Sequence, residues 1–121
     1  MNKGKILHVD DDEVVRVLVA EVLKKNGHEV ISSDNEENAL TIFAHAPESF
    51  ILVITDFCMP SFGDGASLRR KIGEISAVPV ILMSGYAKEI ASSKQEIFFD
   101  EFIAKPIVFP VLLSVVKKFI M

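Results

Sequence analysis

Phe50-Ile51-Leu52-Val53-Ile54 is a run of five apolar residues that passes through Thr55 into a single carboxylate, Asp56. So short a run, β-branched and without polar alternation, predicts a strand covered on both faces, as inside a parallel sheet. Asp56 then stands where the strand leaves the core, and open α/β sheets bind their ligands along that carboxyl edge. Four more short runs are strand candidates. Ile6-Leu7-His8-Val9 ends in Asp10-Asp11-Asp12-Glu13, and Glu29-Val30-Ile31-Ser32 follows. Pro79-Val80-Ile81-Leu82-Met83 ends in Ser84-Gly85, and Glu101-Phe102-Ile103-Ala104 ends in Lys105-Pro106.

Between these runs the apolar period becomes helical. Val15, Leu18, Val19, Val22 and Leu23 recur at the i, i+3, i+4, i+7, i+8 spacing of a buried stripe, with Asp11 or Asp12 as cap and Asn26-Gly27 as stop. Asp34 is predicted to cap a second helix, with Glu37 completing a capping box, a stripe of Ala39, Ile42, Phe43 and Ala46, and Pro47 as its end. Leu68, Ile72 and Ile75 mark a third. A fourth, Lys88 to Ile97, offers only Ile90, Ala91 and Ile97 and is expected to be the loosest element. Phe109, Leu112, Leu113, Val116 and Ile120 mark the last. Five strand–helix alternations without a linker or repeat predict one α/β domain over 1–121, a doubly wound five-stranded parallel sheet. Right-handed crossovers leave few strand orders, and 2-1-3-4-5 is a common one. It makes the first and third strands neighbours, so that Asp10, Asp11 and Asp56 converge.

Two carboxylates about 4 Å apart repel by roughly 4 kcal/mol at an effective dielectric of 20, so three in one crevice need a cation or protons. Oxygen donors without imidazole or thiolate select a hard ion, and a carboxylate site open to water suits Mg²⁺. The remaining strand exits supply a hydroxyl, Ser84, and an ammonium, Lys105. A nucleophile, a metal, a cation and a hydroxyl donor are the parts phosphoryl transfer requires, and Asp56 as nucleophile would form an acyl phosphate. Taken singly, each signal has a plainer reading. The acidic run resembles a solvated cap, Asp56 a turn residue, Ser84-Gly85 a turn and Lys105-Pro106 an exposed loop. Their coincidence at successive strand exits is what favours a site.

Composition narrows the partners. A net charge of -4 gives no attraction to nucleic acid or anionic membrane, and Arg69-Arg70-Lys71 fits the wet side of a helix. No apolar stretch approaches the roughly 20 residues of a membrane span. One cysteine, Cys58, cannot form an internal disulfide and suits a reducing cytoplasm. His8, His28 and His45 lack ligand spacing and are expected to pack or to face solvent.

Together Ile6-Leu7-His8-Val9-Asp10-Asp11, Asp56-Phe57-Cys58-Met59-Pro60, Asp64-Gly65, Val80-Ile81-Leu82-Met83-Ser84-Gly85 and Phe102-Ile103-Ala104-Lys105-Pro106 resemble a response-regulator receiver domain, over essentially the whole chain. The resemblance implies a flavodoxin-like fold and phosphorylation of Asp56 by the phosphohistidine of a histidine kinase or phosphotransfer protein. It implies Mg²⁺ held by Asp10, Asp11, Asp56 and the Cys58 carbonyl, phosphoryl contacts from Ser84 and Lys105, and a cis Lys105-Pro106 bond. Ser84 and Phe102 would form the switch. Phe102 stands where the family often has Tyr and can report only by packing. The downstream partner would dock on the face of the fourth helix, fifth strand and fifth helix. Phe98, Phe99, Phe102 and Phe109 are either an aromatic docking surface there or internal packing. Gly85-Tyr86 is similar to receivers attached to hybrid sensor kinases. Two other classes compete with this expected non-enzymatic signalling module. One is a Mg²⁺ phosphatase or phosphotransferase, although Asp56-Phe57-Cys58 lacks the second Asp of the haloacid-dehalogenase pattern. The other is a scaffold that is never phosphorylated.

Overall fold

The computed structural model describes residues 4–61, 63–85 and 99–120. In chain order the elements are β1 Lys5–Val9, α1 Glu13–Lys25, β2 Glu29–Ser33, α2 Glu36–His45, a 3₁₀ turn Pro47–Ser49, β3 Phe50–Asp56, α3 Asp64–Gly73, β4 Val80–Ser84, β5 Glu101–Ala104 and α4 Phe109–Phe119. All strand pairs are parallel and the order is β2-β1-β3-β4-β5.

The unbroken apolar runs follow from having two cores to fill. Alternate strand residues Leu7, Val9, Val53, Val80 and Leu82 pack under Ala39 and Phe43 of α2 and Leu68 and Ile72 of α3. Their neighbours Ile6, Leu52, Ile54, Ile81, Met83 and Ile103 meet Val19 and Leu23 of α1 and Leu112, Val115 and Val116 of α4. A strand clothed on both faces needs no polar alternation.

Several local expectations are corrected. The second helix is capped by Asn35, not Asp34. The Asn35 backbone is extended (φ -157°, ψ 166°) and its side-chain oxygen accepts the Asn38 N–H at 2.7 Å. The capping box fails because α2 starts one residue later than Asp34 requires. The stripe of α1 is narrower than its periodicity suggested. Val19 and Leu23 are buried, whereas Leu18 is 42% exposed and lines an apolar groove with Pro106, Ile107 and Phe109. Ile75 is exposed because α3 ends at Gly73. In α4 the buried set includes Val115, which the predicted stripe omitted. The predicted fourth helix, Tyr86 and Phe98 lie outside the described residues.

The other three aromatics do not share one surface. Phe99 is buried and meets Phe102 edge-on at 6.0 Å on the α2/α3 face, whereas Phe109 packs on the α1/α4 face. The alternation along β5 that aims Phe102 one way directs its partner Ile103 the other. Phe99 therefore belongs to the α2/α3 core, and the half-buried Phe102 packs against it.

Candidate functional site

At the carboxyl edge β1 and β3 lie side by side, with Val9 opposite Thr55 in register, and the chain turns into Asp10 and Asp56 one residue later. Asp10 is fully buried. Its N–H donates to the Ser33 carbonyl at 3.1 Å, and its carbonyl accepts from Arg16 Nη1 at 2.8 Å. Its Oδ1 accepts the Asp12 N–H at 2.9 Å. Asp12 caps α1, accepting the N–H groups of Val14 and Val15, and so settles the choice between Asp11 and Asp12. Asp11 is left exposed at the rim.

Lys105 joins the two acidic exits. Its Nζ lies 2.8 Å from Asp10 Oδ2 and 3.3 Å from Asp56 Oδ2. Its backbone N–H donates to the Ser84 carbonyl at 3.1 Å, which ties the exit of β5 to that of β4. Ser84 is almost wholly buried. The Lys105–Pro106 bond is cis, as is Met59–Pro60.

Asp56 is 8% exposed and accepts the Phe57 N–H on Oδ1 at 2.8 Å. Burial, then the neighbouring Asp10 charge, raise its pKa above the usual carboxylate value, against the pull of Lys105 and the Phe57 N–H. For Lys105, burial alone would lower the pKa. The hydrogen bond and charge of Asp10, with those of Asp56, outweigh it and leave the ammonium held above its ordinary value.

The loop after Asp56 is tightly tethered. Thr55 Oγ1 donates to the Asp56 carbonyl at 2.9 Å, and the Gly65 N–H donates to the Phe57 carbonyl at 2.9 Å. A Cβ on Gly65 would collide with the Asp56 carbonyl oxygen, so α3 can approach β3 this closely only with glycine there. Cys58, half-buried in this loop, has its thiol pKa pushed up by burial, with the charges of Asp56, Asp64 and Asp11 adding to that. It is no activated thiolate.

One oxygen from each of Asp10, Asp11 and Asp56 lies within 4.8 Å of the others. An all-carboxylate set with one exposed member fits a hard divalent ion that keeps some of its water. The structure thus gathers Asp10, Asp11, Asp56 and Lys105 directly, and Ser84 and Cys58 flank them by position in the chain. Strand alternation puts Ser84 and Phe102 on the same face of the sheet, since Leu82 pairs with Phe102 and Ser84 with Ala104. Sequence reasoning missed Arg16, whose reach to Asp10 exists only once α1 has docked. It also missed the loop contacts of Asp64, which the sequence offered only as part of the Asp64-Gly65 piece of the resemblance.

Residues 6–117 match the family profile of the response regulator receiver domain. The chain belongs to that family. It is 34% identical over 117 residues to the response regulator protein FleR of Pseudomonas aeruginosa, a match that covers 95% of this chain and 24% of FleR. This receiver domain spans less than half the length of the first curated relatives it resembles. Among solved structures it is similar to the receiver domain of the hybrid histidine kinase CckA, with TM-score 0.79 and 34% identity over 95% of this chain and 97% of that one. It is also similar to TrrA of Thermotoga maritima, solved in complex with Mg²⁺-BeF, with TM-score 0.79 and 29% identity over 96% and 98% of the two chains. Receiver domains are signalling modules of two-component systems that bind Mg²⁺ at an acidic pocket. No helix among the described residues is long and apolar enough to cross a membrane.

Proposed function

We propose that residues 1–121 act as one phosphoacceptor receiver domain in the cytoplasm. Asp56 takes a phosphoryl group from the phosphohistidine of a histidine kinase or phosphotransfer protein. The observation that carries this reading is Lys105 Nζ between Asp10 and Asp56, with the Asp11 carboxylate alongside. An Asp56 oxygen forms the new P–O bond as the donor's P–N bond breaks. The electron pair leaves on the imidazole nitrogen, which takes a proton from water. Lys105, already within reach of Asp56 Oδ2, follows the negative charge onto the phosphoryl oxygens. The Ser84 hydroxyl donates to another.

Asp10, Asp11, Asp56 and the Cys58 carbonyl would hold Mg²⁺, whose charge offsets that of the carboxylates and the incoming phosphoryl group. TrrA, solved with Mg²⁺-BeF, supports this reading of the acidic hollow. Drawing the Ser84 hydroxyl toward the phosphoryl group opens space on the face that Phe102 shares. An inward turn of that ring would change the surface offered to an output partner.

Intact-mass analysis after incubation with acetyl phosphate and Mg²⁺ tests the proposal. Wild type should gain one labile adduct of about 80 Da, and Asp56→Asn none. An unmodified wild type, or the same adduct on the variant, refutes it. Continuous hydrolysis of phosphate esters would instead support a phosphatase.

A further inference from the structure

The loop that carries Cys58 is held from outside the acidic hollow by the first residue of α3. Asp64 Oδ2 accepts two backbone N–H groups, Met59 at 3.1 Å and Ser61 at 2.8 Å. Its own N–H returns to the Ser61 carbonyl at 3.1 Å. The Met59 N–H and the Cys58 carbonyl belong to one planar peptide unit, and that unit is trans. In a trans unit the two groups point in opposite directions. A carboxylate that holds the N–H therefore fixes the plane and turns the Cys58 oxygen away from itself. A charge-assisted hydrogen bond at the N–H also polarises the carbonyl and makes its oxygen a better donor to a cation.

The preceding units are secured differently. The Phe57 N–H is held by Asp56 itself, and the Phe57 carbonyl by the Gly65 N–H. The Asp56–Phe57 unit also has Thr55 Oγ1 on its carbonyl, whereas the Cys58–Met59 unit is held through its N–H by Asp64, a carboxylate outside the acidic cluster.

We propose that Asp64 is a positioning residue that sets the Mg²⁺ affinity of the receiver site through the orientation of the Cys58–Met59 peptide. This rests on the reading of Cys58 as a metal ligand given above. Asp64 needs no contact with the ion. Its negative charge would favour a cation wherever it pointed, so the hydrogen bond and the charge must be separated by experiment. Asp64→Asn loses the charge but keeps an oxygen that can accept both N–H groups. Asp64→Ala loses both.

Mg²⁺ titrations of the full chain, followed by ¹H–¹⁵N chemical shifts, give the dissociation constants directly. Asp64→Ala is expected to bind Mg²⁺ about tenfold more weakly than wild type, and Asp64→Asn to stay within about threefold. Urea unfolding of the same proteins separates this pattern from a general loss of stability. Should the alanine variant not fold, Asp64→Glu keeps the charge and displaces the carboxylate by one methylene. It too should bind Mg²⁺ about tenfold more weakly. Wild-type affinity in a folded Ala or Glu variant overturns the proposal, as does an equal loss in Asn and Ala. A wild type that does not bind Mg²⁺ at all overturns instead the reading on which the proposal rests.

Discussion

Replacing His8 by leucine should flatten the acid limb of the chain's stability curve. His8 lies in β1, fully buried, and neither ring nitrogen has a hydrogen-bond partner among the described residues. Burial lowers its pKa from 6.5 to about 4. Asp10 pulls upward, and Lys105 and Arg16 push further down. In the unfolded chain the ring protonates near its ordinary value, while in the fold it stays neutral. Between those two values the unfolded state binds more protons, so stability is undiminished above the unfolded pKa and is lost as pH falls toward the folded one. Each pH unit that separates the two values is worth about 1.4 kcal/mol, so the full loss is about 3 kcal/mol, of which about 2 kcal/mol falls between pH 7 and pH 5. Asp56 works in the opposite sense, because its raised folded pKa favours the folded state in acid. That contribution is common to both proteins and cancels in their difference. The assay is urea unfolding followed by far-UV circular dichroism at pH 7, 6 and 5, without divalent ions. The His8→Leu variant should lose about 2 kcal/mol less than wild type over that range. At pH 7 it should be at least as stable, since two unsatisfied nitrogens leave the core. Parallel pH curves would refute the argument.

Three further outcomes follow from packing and charge. Lys105→Met leaves the buried Asp10 carboxylate without its ammonium, so unfolding in EDTA should show a loss of about 3 kcal/mol, and saturating Mg²⁺ should recover much of it. Gly65→Ala forces a methyl into the Asp56 carbonyl, within 2.9 Å of the Phe57 Cα, where backbone cannot yield. Chemical denaturation should register about 3 kcal/mol of destabilisation. Asn35→Ala should cost about 1 kcal/mol in the same measurement and Asp34→Ala less than half of that, because Asn35 is the residue that caps α2.

Strand identity was legible because both faces of the sheet are covered. Five short apolar runs therefore stood out against the helical period around them, and crossover handedness limited how they could be ordered. Asp10, Asp56, Ser84 and Lys105 could be found because each ends such a run. Helix boundaries were less legible. Asp34 and Asn35 are both good cap residues, and only the backbone angle at Asn35 separates them. Leu18 fits the α1 stripe in spacing, yet it borders a groove beside Pro106 that no local pattern reveals. Asp64 could be seen as an acid before a glycine. Its grip on Met59 and Ser61 depends on how the loop folds back.

The order of residues by itself determined the alternation of strand and helix, the parallel sheet, and which side chains would stand at its carboxyl edge. Period and polarity are local properties, and they suffice for that. Only the tertiary structure decided that Lys105 bridges Asp10 and Asp56, that Arg16 reaches the Asp10 carbonyl, and that His8 is fully buried. These are matters of distance and dielectric between groups up to 95 residues apart. Such quantities have no value until the chain has closed around them.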